Sequence, residues 1–406
     1  MKRFLSISFV GVFLPLFFLW SGCSSHKEKS RYVVVLSMDG FRSDYPDRAH
    51  TPTLDSLASV GVKSAFRPSF PSVTFPNHYT LATGLYPDHH GLINNFFYAP
   101  DLDQIYRIGD NTAVTNPGFY GGEPIWNTAE KQGVRAASFF WVGSEAAIQG
   151  MQPSICKAYD KSVPFKSRAD SVISWLQLPD DIRPHLIMWY MEEPDAIGHS
   201  DTPDSVSTLA KVEELDKVLN YFFTEARSLK HFNEIDFIVL SDHGMATYTP
   251  DKYVNLNDYL PRDSFDYVFD GVPTLLYPKK TYTDEAYAIL QQVPHVKAYK
   301  KDGIPEQFVY GKNPRIGDLV VIPDIGTYLQ FRSESNPRLG GAHGYDNFAP
   351  EMEAIFYAAG PSFRKNAELP VMSNVNLYLI ISRLLNLQPA PNDGDMSVVE
   401  QLFRKR

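Results

Sequence analysis

The chain has 406 residues, 44% of them hydrophobic and 21% charged, fractions that exclude a disordered or collagen-like protein. Its 38 Lys and Arg against 47 Asp and Glu leave a net charge of −9, which argues against a protein built to hold nucleic acid on a basic face. Its 2 cysteines make neither a disulfide framework nor a thiolate zinc site, so any metal must be held by His, Asp and Glu.

Lys2 and Arg3 precede an apolar run over 4–20, and Ser21-Gly22-Cys23-Ser24-Ser25 follows it. A charged start, an apolar run and small residues at a cut site read as a secretory signal. The run is also near the shortest that spans a bilayer, so a signal anchor is the alternative. The small residues before Cys23 resemble a bacterial lipobox, with Trp20 standing where that pattern has Leu. The expectation is a lipoprotein signal peptide over 1–22, a lipid on Cys23 and a polar tether over 23–30. The protein would then be an exported bacterial lipoprotein, membrane-anchored and facing the periplasm or cell exterior. Cys156 would be the one remaining thiol.

From residue 31 onward, strand-like and helix-like segments alternate. Residues 31–38 form a short β-branched run ending at Asp39-Gly40, the pattern of a strand buried on both faces. Similar runs recur at 134–141, 185–191, 235–240 and 354–358. Helices are expected at 52–60 with Thr51 as N-cap, at 77–82, and at 124–132 between Pro124 and Gly133. The longest, 205–229, repeats Val206, Leu209, Val212, Leu215, Val218, Leu219 and Phe222 at helical spacing. The last is 374–385. This order predicts an α/β fold with a mostly parallel central sheet and helices on both faces. Residues 247–337 break the rhythm with Pro, Tyr, Lys and Asp and short strand-like pieces at 273–277, 295–299 and 318–322. They read as a small inserted α+β subdomain within a catalytic domain spanning 31–406.

Ligands of open α/β sheets sit beyond the carboxyl ends of the strands. Asp39-Gly40 follows the first strand. Glu193-Pro194-Asp195-Ala196-Ile197-Gly198-His199 follows 185–191, and Ser241-Asp242-His243-Gly244-Met245 follows 235–240. Gly340-Gly341-Ala342-His343-Gly344-Tyr345-Asp346 comes after the insertion. Each motif alone reads as a turn or a hydrogen-bonded loop pair. Together they place Asp39, Asp195, His199, Asp242, His243 and His343 where such a sheet builds its site. Oxygen and imidazole donors without thiolate suit catalytic zinc, and these are too many for one tetrahedral ion and suit two. The remaining histidines, His78, His89 and His90 among them, lack the strand-end setting and are read as structural or solvated.

Pro76 marks a helix start, which puts Thr74 at the positive end of the helix dipole. A Thr hydroxyl there is either a simple N-cap or a nucleophile that a base or an ion must activate. The residues alone leave both open.

Ser72-Val73-Thr74-Phe75-Pro76-Asn77-His78-Tyr79, with Gly84-Leu85-Tyr86-Pro87 and His90-Gly91, resembles the nucleophile segment of the bacterial nucleotide pyrophosphatase/phosphodiesterase family, type I phosphodiesterases of the alkaline phosphatase superfamily. The Asp195/His199, Asp242/His243 and His343 motifs resemble that family's metal motifs in the same order. Gly122-Glu123-Pro124-Ile125-Trp126 and Ser162-Val163-Pro164-Phe165 are further matching stretches, and the likeness runs from about 32 to 387.

The resemblance implies an alkaline phosphatase-like fold and two Zn²⁺. One is held by Asp195, His199 and His343, the other by Asp39, Asp242, His243 and the oxygen of Thr74. It further implies that Thr74 attacks phosphorus, that water hydrolyses the resulting phospho-threonine, and that a nucleoside 5′-monophosphate is released. Asn95 matches the family's donor to a non-bridging phosphate oxygen. Phe75, Tyr159 and Tyr190 match positions that line a base slot, with Trp141 and Glu145 as weaker matches. The cysteine-rich and nuclease-like modules of the animal secreted enzymes are missing from the sequence, so a stand-alone catalytic domain is expected.

The implied partner is a nucleotide or nucleotide-sugar type small molecule, with no long nucleic acid. The alternatives are a phosphomonoesterase, for which Lys157 is the one obvious candidate for the added cation, a lipid or choline-headgroup phosphodiesterase, and a non-catalytic lipoprotein. A sulfatase needs a modified Cys or Ser, for which Thr74 cannot serve. The preferred base, the leaving group and the oligomeric state are left open.

Overall fold

The computed structural model describes residues 32–334 and 337–404. The expected signal, Cys23 and the tether lie outside the described residues. A nine-stranded sheet runs in the order Ala367–Glu368, Val62–Arg67, Ala354–Ala359, Ile235–Leu240, Tyr32–Met38, Leu186–Met191, Ala136–Phe139, Ile155–Lys157. Met372–Ser373 also pairs with Val62–Arg67. The strands around Tyr32–Met38 are parallel, and Ala354–Ala359 is antiparallel to both of its neighbours.

Both faces of this sheet are covered, which is why its central strands read as unbroken apolar runs. Val33 and Val35 point into one core with Tyr79, Trp126 and Ile381. Val34, Leu36 and Met38 point into the other with Leu54, Val172 and Leu215. Burying one such aliphatic side chain contributes roughly 1.5–3 kcal/mol. The helices expected from spacing are Pro52–Val60, Thr74–Thr83, Ile125–Lys131, Val206–Arg227 and Asn376–Leu384.

Local details differ from the sequence expectation. Thr51 stands at an N-cap position, but its side chain makes no cap hydrogen bond, whereas the Ser205 side chain accepts from the Thr208 N–H. The strand Val62–Arg67 alternates buried and half-buried residues, so Lys63 and Arg67 hid it from a search for apolar runs. The helix Phe165–Leu176 also went unmarked.

Within 247–337, the strands Phe265–Phe269, Thr274–Pro278, Leu319–Pro323 and Val296–Lys300 form an antiparallel four-stranded sheet with the helix Thr283–Leu290. Leu256, Leu276, Leu290 and Val321 belong to a core cluster of their own. The ribbon Ala246–Tyr248 with Gly340–Ala342 brackets this segment and returns the chain to its starting point. Asp88 fastens the segment to the main fold by accepting from the backbone N–H groups of Gly311, Lys312 and Asn313 at 2.8–3.0 Å. Among the described residues, no helix is long and apolar enough to cross a membrane.

Candidate functional site

Three parallel strands deliver the acidic motifs to one edge. Asp39 follows Tyr32–Met38, Asp195 opens the helix Asp195–Asp201 just after Leu186–Met191, and Asp242 and His243 follow Ile235–Leu240. Gly40 permits the close approach: its φ is +66°, and a Cβ there would stand 2.9 Å from Asp195 Cα. The Asp195 N–H then donates to the Asp39 carbonyl at 3.0 Å. The i, i+4 spacing of Asp195 and His199 within one helix brings their side chains to 3.4 Å. The Ala246–Tyr248 ribbon carries His343 back onto His243, and the two rings stack at 3.7 Å.

Thr74 is the first residue of its helix, after Val73 at the cap position. Its hydroxyl does not cap the helix. Oγ1 lies 3.2 Å from His243 Nε2. Ser72, two residues earlier, clips the last motif in place. Its carbonyl meets His343 Nδ1 at 2.9 Å, and its Oγ accepts from the Gly344 N–H at 3.1 Å.

The three strand-end imidazoles share one orientation. The Nδ1 atoms of His199, His243 and His343 face the carbonyls of Gly341, Gly244 and Ser72 at 2.8–2.9 Å. A carbonyl only accepts, so the ring proton sits on Nδ1 and the Nε2 lone pair is left for the cluster. Those Nε2 atoms lie 3.1–3.5 Å from Asp39, Asp195, Asp242 or one another. Asp39 Oδ1, Asp195 Oδ1 and Asp242 Oδ2 are buried with no hydrogen-bond partner.

Burial pushes the Asp39 carboxyl well above its usual range, and the charges of Asp242 and Asp195 push the same way. Asp242 resists its own burial and is drawn below that range by His243 and His78. Burial, then His243 and His199, keeps His343 neutral well below its ordinary value. Converging carboxylates with orphaned oxygens and imidazole Nε2 atoms turned toward them fit cations, which would relieve the repulsion between the carboxylates. The ligand atoms of Asp195, His199 and His343 fall within 4.8 Å of one another, as do those of Asp39, Asp195 and His243 and of Asp39, His78 and Asp242. Asp195 thus reaches toward both ends of the cluster.

Asn95 lies beside the nucleophile segment: its Oδ1 accepts from the Phe75 N–H at 2.9 Å, which leaves Nδ2 to donate elsewhere. Tyr190 does more than line a wall, because its hydroxyl donates to Asp39 Oδ2 at 2.6 Å. Tyr159 meets Tyr190 at 6.4 Å between ring centroids and is 49% exposed. The ring of Phe75 packs edge-on against Tyr106. Glu145 is fixed under Tyr159, accepting from its backbone N–H at 2.9 Å. A separate cleft of about 330 Å³, between the Pro52–Val60 helix and the end of Val206–Arg227, holds none of these residues.

His78 is the residue that sequence reasoning missed. It is fully buried and its Nδ1 lies 3.3 Å from Asp242. The signal available was its position four residues after Thr74 in a helix, which puts both on one face.

Hard oxygen donors and imidazoles at the carboxyl ends of a mostly parallel sheet, with a hydroxyl at a helix start beside them, define an α/β protein with a candidate metal site. The chain belongs to the Type I phosphodiesterase / nucleotide pyrophosphatase family, whose pattern it matches over residues 33–346. It is 34% identical over 386 residues to ectonucleotide pyrophosphatase/phosphodiesterase family member 3 of Mus musculus, covering 92% of this chain and 44% of that one. It is 35% identical to the venom phosphodiesterase CdcPDE of Crotalus durissus collilineatus, covering 92% and 46%. The chain thus spans less than half the length of these relatives. Human ectonucleotide pyrophosphatase/phosphodiesterase 5 superposes with a TM-score of 0.88 at 31% identity, over 92% of this chain and 100% of that one. The murine protein of that name, as an inactive variant in complex with AMP, matches with the same TM-score and coverage at 33% identity.

Proposed function

We propose that this protein is a two-zinc hydrolase that cleaves nucleotide phosphodiester or pyrophosphate bonds and releases nucleoside 5′-monophosphates. The observation that carries the reading is Thr74 Oγ1 at a helix start, 3.2 Å from His243 Nε2 within the cluster of orphaned carboxylate oxygens. Asp195, His199 and His343 would hold one Zn²⁺, and Asp39, Asp242, His243 and Thr74 the other. When bound, two such ions stabilise the attacking and leaving oxygens of an in-line displacement and make the Thr hydroxyl acidic enough to attack at neutral pH. Thr74 Oγ1 gives up its proton and forms a bond to phosphorus as the bond to the leaving oxygen breaks, with that oxygen leaving protonated, giving a phospho-threonine ester. Water then attacks phosphorus and returns Thr74 with its proton, so two inversions give net retention. Asn95 Nδ2 donates to a non-bridging phosphate oxygen while its Oδ1 keeps the Phe75 N–H. Phe75, Tyr159 and Tyr190 receive the base by stacking, which tolerates any base. The AMP complex of the murine relative supports a nucleotide substrate.

The proposal extends to the rest of the chain. Residues 31–406 form the catalytic domain, 247–337 an inserted subdomain, 1–22 a lipoprotein signal, and Cys23 a lipid anchor that holds an exported bacterial protein at a membrane. A Cys23→Ser variant is expected in the soluble rather than the membrane fraction.

The deciding experiment compares kcat/KM for a nucleotide diester, a phosphate monoester and glycerophosphocholine on one preparation. Preference for the nucleotide diester is expected. Preference for either of the others replaces this reading with the monoesterase or the headgroup phosphodiesterase.

A further inference from the structure

We infer that His78 is a positioning residue that ties the nucleophile's helical turn to the Asp242 carboxylate, and so holds Asp242 ready for its cation. The inference rests on the two-zinc reading. His78 Nδ1 lies 3.0 Å from the Thr74 carbonyl and 3.3 Å from Asp242 Oδ2. Both of those oxygens are acceptors, so the ring proton belongs on Nδ1, shared between them with the carbonyl better aligned. On the other side, Nε2 lies 2.9 Å from Ser37 Oγ, a hydroxyl that can donate to it.

The ring cannot swing away. It meets Trp141 and Tyr190 edge-on at 5.3 and 5.1 Å, and Trp141 Nε1 donates to the His78 carbonyl at 3.0 Å. Asp242 Oδ1 is held separately by the Gly40 N–H at 3.2 Å. Oδ2 makes no hydrogen bond, and its contact with His78 is the approach of Nδ1 at 3.3 Å. With its proton on Nδ1, His78 hydrogen-bonds the Thr74 carbonyl and turns the same N–H, not a lone pair, toward Asp242 Oδ2, although it sits within the Asp39 and Asp242 group. One N–H thus bridges the backbone of Thr74 and a metal-binding carboxylate, and it sets the spacing between them. Partners of this kind change metal affinity by about 10–100-fold when removed.

The test uses a pair of variants that differ in where an amide sits. His78→Asn keeps a donor at the Nδ1 position, and His78→Gln moves it toward Ser37. Zinc is titrated against a competing chelator, with kcat/KM followed in parallel. His78→Asn is expected to hold both equivalents as the unmutated protein does. His78→Gln is expected to release one equivalent about 10–100-fold more readily while the other is unchanged. Two equivalents held with unchanged affinity in His78→Gln overturns the proposal. So does equal weakening in both variants, which marks His78 as a ligand or a packing group. Nitrogen NMR of His78 in the metal-free unmutated protein needs no variant to fold: the Nδ1–H tautomer is expected, and the Nε2–H tautomer overturns the proposal. An unmutated protein that binds no zinc sinks the two-zinc reading instead, and the tautomer still decides the role of His78.

Discussion

The polar cluster at the sheet edge and the aromatic wall beside it are held by different means. In the cluster, each of His199, His243 and His343 has its Nδ1 against a backbone carbonyl, and Asp242 Oδ1 receives a backbone N–H. In the wall, Tyr159 is half exposed, Phe75 leans on Tyr106, and only Tyr190 is fixed by a side-chain hydrogen bond, to Asp39. Buried charges cost several kcal/mol when mispaired, so a cluster of them works only if each orientation is imposed from outside it. A base slides over an aromatic face with little penalty, so the wall needs area more than angle. The lesson is a division of labour: rigid backbone partners where charge develops, looser packing where a variable base must be received.

The largest effect that tests this division is Thr74→Ala. It should keep the fold and the metal content while lowering kcat by roughly 10⁴-fold or more, measured on a nitrophenyl ester of thymidine monophosphate. Near-normal turnover would remove Thr74 from the chemistry.

Elemental analysis of active protein should find two zinc per chain. Stripping them should abolish turnover and lower unfolding free energy by about 4 kcal/mol for each site, about 8 for both, relative to protein kept at about 1,000 times Kd of free zinc. Active protein with one zinc or none would break the cluster half of the comparison.

Tyr159→Ala probes the wall. It should raise KM for a nucleotide by the equivalent of roughly 1–3 kcal/mol. Turnover of a small diester without a base should be unchanged. An equal loss on both substrates would place Tyr159 in the chemistry rather than in the wall.

A pH-dependent effect concerns the short helix Pro87–His90. His90 is buried, with its Nε2 3.0 Å from Thr80 Oγ1, and burial lowers its pKa from 6.5 to about 3. The unfolded chain takes up a proton below 6.5 that the folded chain refuses until about 3. Stability from this group is therefore present above 6.5 and falls as the pH drops through that window. Denaturant midpoints against pH should show a shallower fall in His90→Asn, and identical slopes would refute the assignment.

Much of the cluster was legible because its residues carry punctuation. Asp39, Asp195 and His243 each come shortly after an apolar run and sit beside a Gly or a Pro, and Asp242 directly precedes His243. His78 carried no such mark: it is one residue in a helix that is buried on nearly every side. The role of Tyr190 was half legible, since an aromatic before Asp195 suggests a wall, whereas its bond to Asp39 crosses between two strands. Nor does an apolar run state its direction. Ala354–Ala359 reads like Ile235–Leu240 beside it yet runs antiparallel to it.

What the sequence alone determined was local: which segments are buried strands, which stretches carry period-3.6 helices, and which donor types stand at the strand ends. Those follow from side-chain chemistry and spacing along the chain, which need no partner to be read. Tertiary structure decided strand order and direction, the return of His343 onto His243 through the ribbon, and the hold of the nucleophile segment on both His343 and Asp242. These depend on contacts between residues far apart in the chain. Such contacts are selected by how two covered sheet faces and a crowded polar edge can be packed at once, and no short window of sequence carries that information.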